Sequence, residues 1–146
     1  MALYIIENAE AAGKLDRNKI ILEATSGNTG IALAMIAAVK GYKLDLVMPE
    51  SVSIERRKII KAYGAELILS PAAQGTGGAV EMKKKLLTEN PNKYVALDQF
   101  SDPSNILAHY QTTGKEIIED TGGKIDTFVA SVGTAGTGVG ASMRLN

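Results

Sequence analysis

Six consecutive residues, Thr25-Ser26-Gly27-Asn28-Thr29-Gly30, bring together three hydroxyls, one carboxamide and two glycines. They follow a short apolar run, Ile20-Ile21-Leu22, and precede an apolar helical pattern. A strand that passes into a helix here leaves the first helical amides without internal partners, at the positive end of the macrodipole. The glycines let an anion approach the backbone and the side chains add donors, so the segment suits a carboxylate or a phosphate. The same residues also suit a plain capped strand-to-helix turn. Gly133-Thr134-Ala135-Gly136-Thr137-Gly138 repeats the arrangement after a second apolar run and is a second candidate anion cradle. No Lys follows its last glycine, so it is not a P-loop, and neither segment has the G-x-G-x-x-G spacing of a dinucleotide site.

Other elements must position these segments. Short apolar runs at residues 20–22, 44–48, 67–69, 94–97 and 127–132 read as strands. Helical patterns lie between them: residues 3–9 with Gly13 as a stop, residues 31–39 closed by Gly41, a helix capped by Ser53 and ended at Gly64, residues 80–87, and a long helix over 103–119. Residues 31–39 are apolar nearly all round, which predicts a helix buried on most sides. Arg56-Arg57-Lys58 and Lys83-Lys84-Lys85 read as solvated helix faces, the methionines as core, and His109 as a structural or surface residue. Asp45 interrupts an apolar strand and needs a partner or solvent. Alternating strands and helices predict parallel pairing, because each crossover helix returns the chain to the same end of the sheet. The expected fold class is therefore α/β, a three-layer open parallel sheet. Ligands of such sheets bind beyond the carboxyl ends of the strands, so chemistry is expected after Leu22, Leu97 and Val132.

Composition narrows the function classes. A chain of 146 residues, 45% hydrophobic, can bury a real core. Sixteen basic and 16 acidic residues give a net charge of zero and no electrostatic reason to expect nucleic acid or an anionic membrane as partner. The absence of cysteine excludes disulfides and thiolate metal sites, and a single histidine excludes an imidazole cluster, so no metal site is expected. A cysteine-free chain is compatible with a cytoplasmic setting, which is the expected localisation. The longest apolar run falls far short of the about 20 residues of a membrane span. Residues 1–7 have no basic leader and do not read as a signal peptide.

The motifs also occur in a specific order. Glu23-Ala24-Thr25-Ser26-Gly27-Asn28-Thr29-Gly30-Ile31-Ala32-Leu33-Ala34 resembles the signature of the cysteine synthase and cystathionine β-synthase family of pyridoxal-phosphate (PLP) enzymes. Met48-Pro49-Glu50, Ser53-Ile54-Glu55-Arg56-Arg57-Lys58 and Ala62-Tyr63-Gly64-Ala65-Glu66-Leu67 continue it. Gln99-Phe100, Pro103, Asn105, His109 and Thr112-Thr113-Gly114 follow in register, and Gly133-Thr134-Ala135-Gly136-Thr137 resembles the family's PLP-phosphate loop.

The resemblance carries expectations. Thr25, Ser26, Asn28 and Thr29 would clasp the α-carboxylate of an amino-acid substrate, with Asn28 also reaching the phenolic oxygen of PLP and Gln99 touching the carboxylate. Gly133, Thr134, Ala135, Gly136 and Thr137 would hold the PLP phosphate. Residues 14–115 would form the small mobile domain of a fold-type II PLP enzyme, and residues 1–13 and 116–146 would be portions of a larger PLP-binding domain. The activity implied is β-replacement, in which an O-activated serine and sulfide give L-cysteine. Residues 53–63 resemble cysteine synthase more than cystathionine β-synthase; a non-catalytic α/β module that binds an anion or another chain is the alternative of a different class. The family's Schiff-base lysine stands in a Lys-Asp-Arg motif just before the first helix, and no lysine here has that context, so no catalytic residue is assigned and the chain is expected to be an inactive internal fragment. Ala135 stands where the family has glycine, a small change unless its φ is positive. Self-association as a dimer or larger species is expected through the helix with Leu3, Ile5 and Ile6 and through residues 127–132.

Overall fold

Four of the apolar runs form strands: β1 (Ile20–Ala24), β2 (Leu44–Pro49), β3 (Glu66–Ser70) and β4 (Tyr94–Val95). The computed structural model describes all 146 residues. The strands pair in the order β3-β2-β1-β4, each neighbouring pair parallel, with Leu22 opposite Asp45, Leu46 opposite Leu67 and Ile21 opposite Val95. The expected parallel sheet is thus present. Chain contacts divide the molecule into two compact units, Ala9–Leu97 with Ala2, and Asp98–Asn146 with Met1 and Leu3–Asn8. Helix α1 (Ala2–Ala11) contributes residues to both.

In the first unit, helix α2 (Asn28–Lys40) joins β1 to β2 and α3 (Ile54–Ala62) joins β2 to β3. A 3-10 turn (Ala72–Gln74) and α4 (Gly75–Glu89) join β3 to β4. Adjacent residues of β2 face opposite sides of the sheet. Leu46 lies under Gly30 of α2, where an added Cβ would stand 3.3 Å from its Cδ1. Val47 joins Leu22, Ala24, Tyr94 and Ala79 in a core completed by Val80, Met82, Leu86 and Leu87 of α4. Helices therefore cover both faces and the unit has three layers. Truncating a buried side chain such as Leu22 to Ala in such a core costs about 2–5 kcal/mol.

Two acids lie within this sheet. Asp45 accepts a hydrogen bond from Tyr94 Oη at 3.0 Å, which supplies the partner that its burial requires. Glu23 of β1 is 1% exposed, and its Oε1 is 2.7 Å from Lys83 Nζ of α4 and accepts the Ala24 N–H at 2.9 Å. Lys83 thus departs from the expected solvated run: its neighbours Lys84 and Lys85 are exposed, but Lys83 is turned inward as the partner of a buried carboxylate.

In the second unit α5 (Ser104–Gln111), α6 (Thr113–Thr121) and α7 (Gly136–Leu145) pack together through glycines. A Cβ on Gly140 would stand 2.4 Å from Ile106 O, and one on Gly114 would stand 2.6 Å from Arg144 Cβ. These close approaches leave no room for a side chain at either position.

Three further expectations need correction. The single helix over 103–119 is two helices, broken at Thr112, whose φ and ψ are −111° and −80° and whose Oγ1 donates to Ala108 O at 2.8 Å. Two β-branched residues followed by glycine make this the weakest helical stretch, and a hydroxyl bonded to the preceding turn bends it. Residues 127–132 do not form a strand: no segment pairs with them, and Val129 and Val132 are 86% and 83% exposed. Helix α2 buries one face only, with Leu33, Ala34 and Ala37 inside and Met35 and Val39 exposed. No helix is long and apolar enough to cross a membrane.

Candidate functional site

The sheet order reverses between β1 and β4, and sheets of this kind bind ligands at such a switch, beyond the carboxyl ends of the strands. Thr25, Ser26 and Gly27 lie directly beyond β1. The Thr25 N–H donates to Val47 O at 3.1 Å, so the loop leaves as a continuation of the ladder. Thr25 is buried: its Oγ1 accepts from the Gly27 N–H at 3.3 Å, and its methyl sits 3.0 Å from where a Cβ on Gly30 would be. Asn28 is exposed, Ser26 and Thr29 are half-buried, and Asn28 and Thr29 open α2. In that first turn the Gly30 N–H donates to Gly27 O at 3.1 Å, and the amides of Asn28 and Thr29 precede the first intrahelical acceptor. The sequence-predicted Thr25, Ser26, Asn28 and Thr29 therefore come together as one donor-rich loop.

Sequence reasoning missed the residue that holds this loop. The Arg56 guanidinium donates through Nη1 to the carbonyl of Ser26, and Arg57 donates through Nε to Val52 O at 3.1 Å and through Nη2 to Glu50 O. The expected solvated face at Arg56 and Arg57 is instead a pair of clamps on backbone carbonyls. Arginine's rigid fork of donors is the one sequence signal for such a role.

The second loop precedes α7. Ala135 is its N-cap, with φ +64°, so the position where the family has glycine does require a left-handed backbone. The Val139 N–H closes the first helical turn on Ala135 O at 2.9 Å, which leaves the amides of Gly136, Thr137 and Gly138 at the positive end of the helix. An added Cβ at Gly133 or Gly138 would meet nothing within 4 Å, so the loop has open space at these positions. Asn105 of α5, 3% exposed, donates through Nδ2 to Thr134 Oγ1 at 2.8 Å and to Gln99 O at 3.0 Å. Its Oδ1 is buried without a hydrogen-bond partner, 2.1 Å from where a Cβ on Gly136 would stand. His109 links Thr137 Oγ1, 3.2 Å from Nε2, to Thr113 Oγ1, 2.9 Å from Nδ1. Burial holds its pKa below the ordinary value, with a smaller push from the positive Met1 amino group.

Three helix-start amides and the hydroxyls of Thr134 and Thr137, with no acid among residues 133–138, make a donor set that fits a phosphate group. Gln99 is buried and tied to this loop through Asn105. Gln99 and residues 133–137 belong to one compact unit, and residues 25–29 belong to the other. No group of three His, Cys, Asp or Glu side chains is placed to hold a metal ion.

The family model described as "Pyridoxal-phosphate dependent enzyme" matches residues 1–146. The chain is 52% identical over 138 residues to cysteine synthase A of Escherichia coli K12, covering 94% of this chain and 43% of that protein. It is 50% identical over 146 residues to the cysteine synthase of a Flavobacterium species, covering 99% of this chain and 47% of that one. Among solved structures, cysteine synthase from Entamoeba histolytica superposes with a TM-score of 0.92 at 45% identity, over 99% of this chain and 42% of that one. A hydrogen sulfide-producing enzyme from Fusobacterium nucleatum superposes with a TM-score of 0.92 at 46% identity, over 99% and 48%. The chain thus spans less than half the length of these relatives. A parallel α/β sheet, a collinear series of motifs and a phosphate-suited loop at a helix start go with the match over the full chain, and the chain belongs to the pyridoxal-phosphate-dependent enzyme family, with the fold-type II architecture of its cysteine synthase neighbours.

Proposed function

We propose that the longer protein to which this chain corresponds is a PLP-dependent cysteine synthase, which makes L-cysteine from an O-activated serine and sulfide by β-replacement. The observation that carries this reading is the 133–137 loop, where amides at the start of α7 and two threonine hydroxyls form a phosphate-suited donor set with open space beside it. When bound, PLP supplies an electron sink that stabilises charge developed at the substrate's reacting carbons. Gly133, Thr134, Ala135, Gly136 and Thr137 hold its phosphate through backbone amides and hydroxyls. Thr25, Ser26, Asn28 and Thr29 bind the α-carboxylate of the amino acid, with Arg56 fixing the backbone at Ser26. Gln99 contributes a further amide to that carboxylate, and Asn28 reaches the ring's phenolic oxygen. Closing donors around the carboxylate excludes water and strengthens every charged contact inside.

In this reading residues 14–115 are the small mobile domain, and residues 1–13 and 116–146 belong to the larger one. The break in contacts falls earlier, after Leu97, and groups residues 98–115 with 116–146. None of the lysines in these 146 residues stands in a Lys-Asp-Arg context. The isolated chain is therefore proposed to bind PLP weakly and reversibly and to make no cysteine. The test is a PLP titration followed by absorbance, with borohydride trapping and mass spectrometry, beside an assay with O-acetylserine and sulfide. Low-occupancy labelling scattered over exposed lysines, with no product, is expected. One stoichiometric pyridoxyl-lysine together with cysteine formation would overturn the proposed inactivity.

A further inference from the structure

We propose that Asn105 is a positioning residue for phosphate, acting through the hydroxyl of Thr134; this rests on the reading of residues 133–137 as a phosphate loop. A threonine hydroxyl has one hydrogen to donate and two lone pairs to accept with. Asn105 Nδ2 donates to Thr134 Oγ1 at 2.8 Å and so occupies a lone pair. The hydroxyl hydrogen is then directed away from Asn105, free to be given to an anion. The second Nδ2 hydrogen goes to Gln99 O at 3.0 Å, which fixes the plane of the amide and leaves the carboxamide no freedom to turn over without losing both bonds.

The other end of the same amide lies close against Gly136. Asn105 is 3% exposed and its Oδ1 has no hydrogen-bond partner, although buried polar atoms are paired in the great majority of cases. That oxygen occupies the room beside Gly136, where a Cβ would stand only 2.1 Å away. Glycine at 136 and asparagine at 105 are thus matched: one provides the space and the other fills it. Asn105 touches neither substrate nor cofactor in this scheme. It sets which way the Thr134 hydroxyl points and keeps Gln99 in step with the loop.

The experiment uses inorganic phosphate as the probe and amide and side-chain NMR of the 146-residue chain as the readout. In the wild type, the Gly136 and Thr137 amides and the Asn105 side-chain NH2 are expected to titrate together with one affinity. N105D turns the Thr134 hydroxyl inward, as donor to a carboxylate, and places a negative charge beside the loop, and is expected to weaken phosphate binding by about 100-fold or more. N105A, which only releases the hydroxyl, is expected to weaken it by about 10-fold, and to add little in a T134V background, because both changes remove the same contact. Loop amides that titrate while the Asn105 NH2 stays still, or N105A and T134V effects that simply multiply, would overturn the role of Asn105 and leave the phosphate loop standing. Phosphate that moves no amide of residues 133–138 in the wild type would overturn the loop's assignment and this inference with it. The wild-type side-chain titration decides the matter even where a variant at this buried position fails to fold.

Discussion

Glu23 and Lys83 are two charges taken out of water together, and their ion pair at 2.7 Å offsets part of what that burial costs. Removing one partner leaves a buried charge without its ion pair, at about 3–5 kcal/mol, whereas replacing both with apolar residues of similar volume is close to neutral. We expect Lys83→Met to lower the urea midpoint sharply and the Glu23→Leu/Lys83→Met pair to recover most of the loss; a mild effect of the single change would mean that Glu23 finds another partner. At the 25–30 loop the structure separates roles that the sequence had treated alike. Asn28 is exposed and free of packing duty, so Asn28→Ala in the full-length enzyme should lose about 1.5–3 kcal/mol of substrate stabilisation with an unchanged melting temperature. Thr25 is buried under Gly30, so Thr25→Ala should lower both kcat/KM and the melting temperature. Steady-state kinetics beside thermal melts distinguishes the two. The 25–30 loop stood out from hydroxyl and glycine spacing, whereas the 133–138 loop stood out only with the family resemblance beside it. Arg56, Lys83 and Asn105 did not stand out, because a polar side chain that serves a partner far along the chain has the same one-dimensional signature as one that faces water.

Elements were most readable where glycine and period agree. The αL glycines at 41 and 122 end α2 and α6, and Ser53 caps α3 by accepting the Arg56 N–H at 3.5 Å, much as their positions implied. The long helix expected over 103–119 failed at Thr112, where local propensity is weak and a side-chain bond to Ala108 O is available, a competition that periodicity does not register. The 127–132 segment has the composition of a strand, but a strand exists only by pairing, and composition cannot say whether a partner is at hand. The α5–α7 contact carries a pH dependence through His109. Its folded pKa lies below the ordinary value near 6.5, so the unfolded chain takes up the proton first. Stability is therefore full above the unfolded pKa and is lost as the pH falls from there to the lower folded pKa. Urea melts between about pH 8 and pH 5 should show this slope in the wild type and lose it in His109→Gln; parallel slopes in both would assign the dependence to other groups.

For the molecule as a whole, surface apolarity bears on assembly. Ile5 and Ile6 are buried, at 1% and 0% exposure, so α1 offers only Leu3 to a partner, and the expected role of that helix in association shrinks accordingly. Val129, Val132 and Met143 remain exposed, and exposed apolar side chains are what a second chain would cover. We expect concentration-dependent association in sedimentation velocity, reduced by Val129→Lys and Val132→Lys together; a monomer at every concentration would exclude it. The inward-turned amine of Lys83 has one further consequence, for covalent chemistry. Acylating and imine-forming reagents attack an amine that can leave its partner and meet them in solvent, and Lys83, with its side chain 7% exposed and Nζ held 2.7 Å from a carboxylate, cannot do so while α4 lies on the sheet. Its exposed neighbours Lys84 and Lys85 react at once. The three consecutive lysines therefore carry their own internal standard: the lag of Lys83 behind the next two residues measures how often α4 lifts away, at single-residue resolution and without a spectroscopic label.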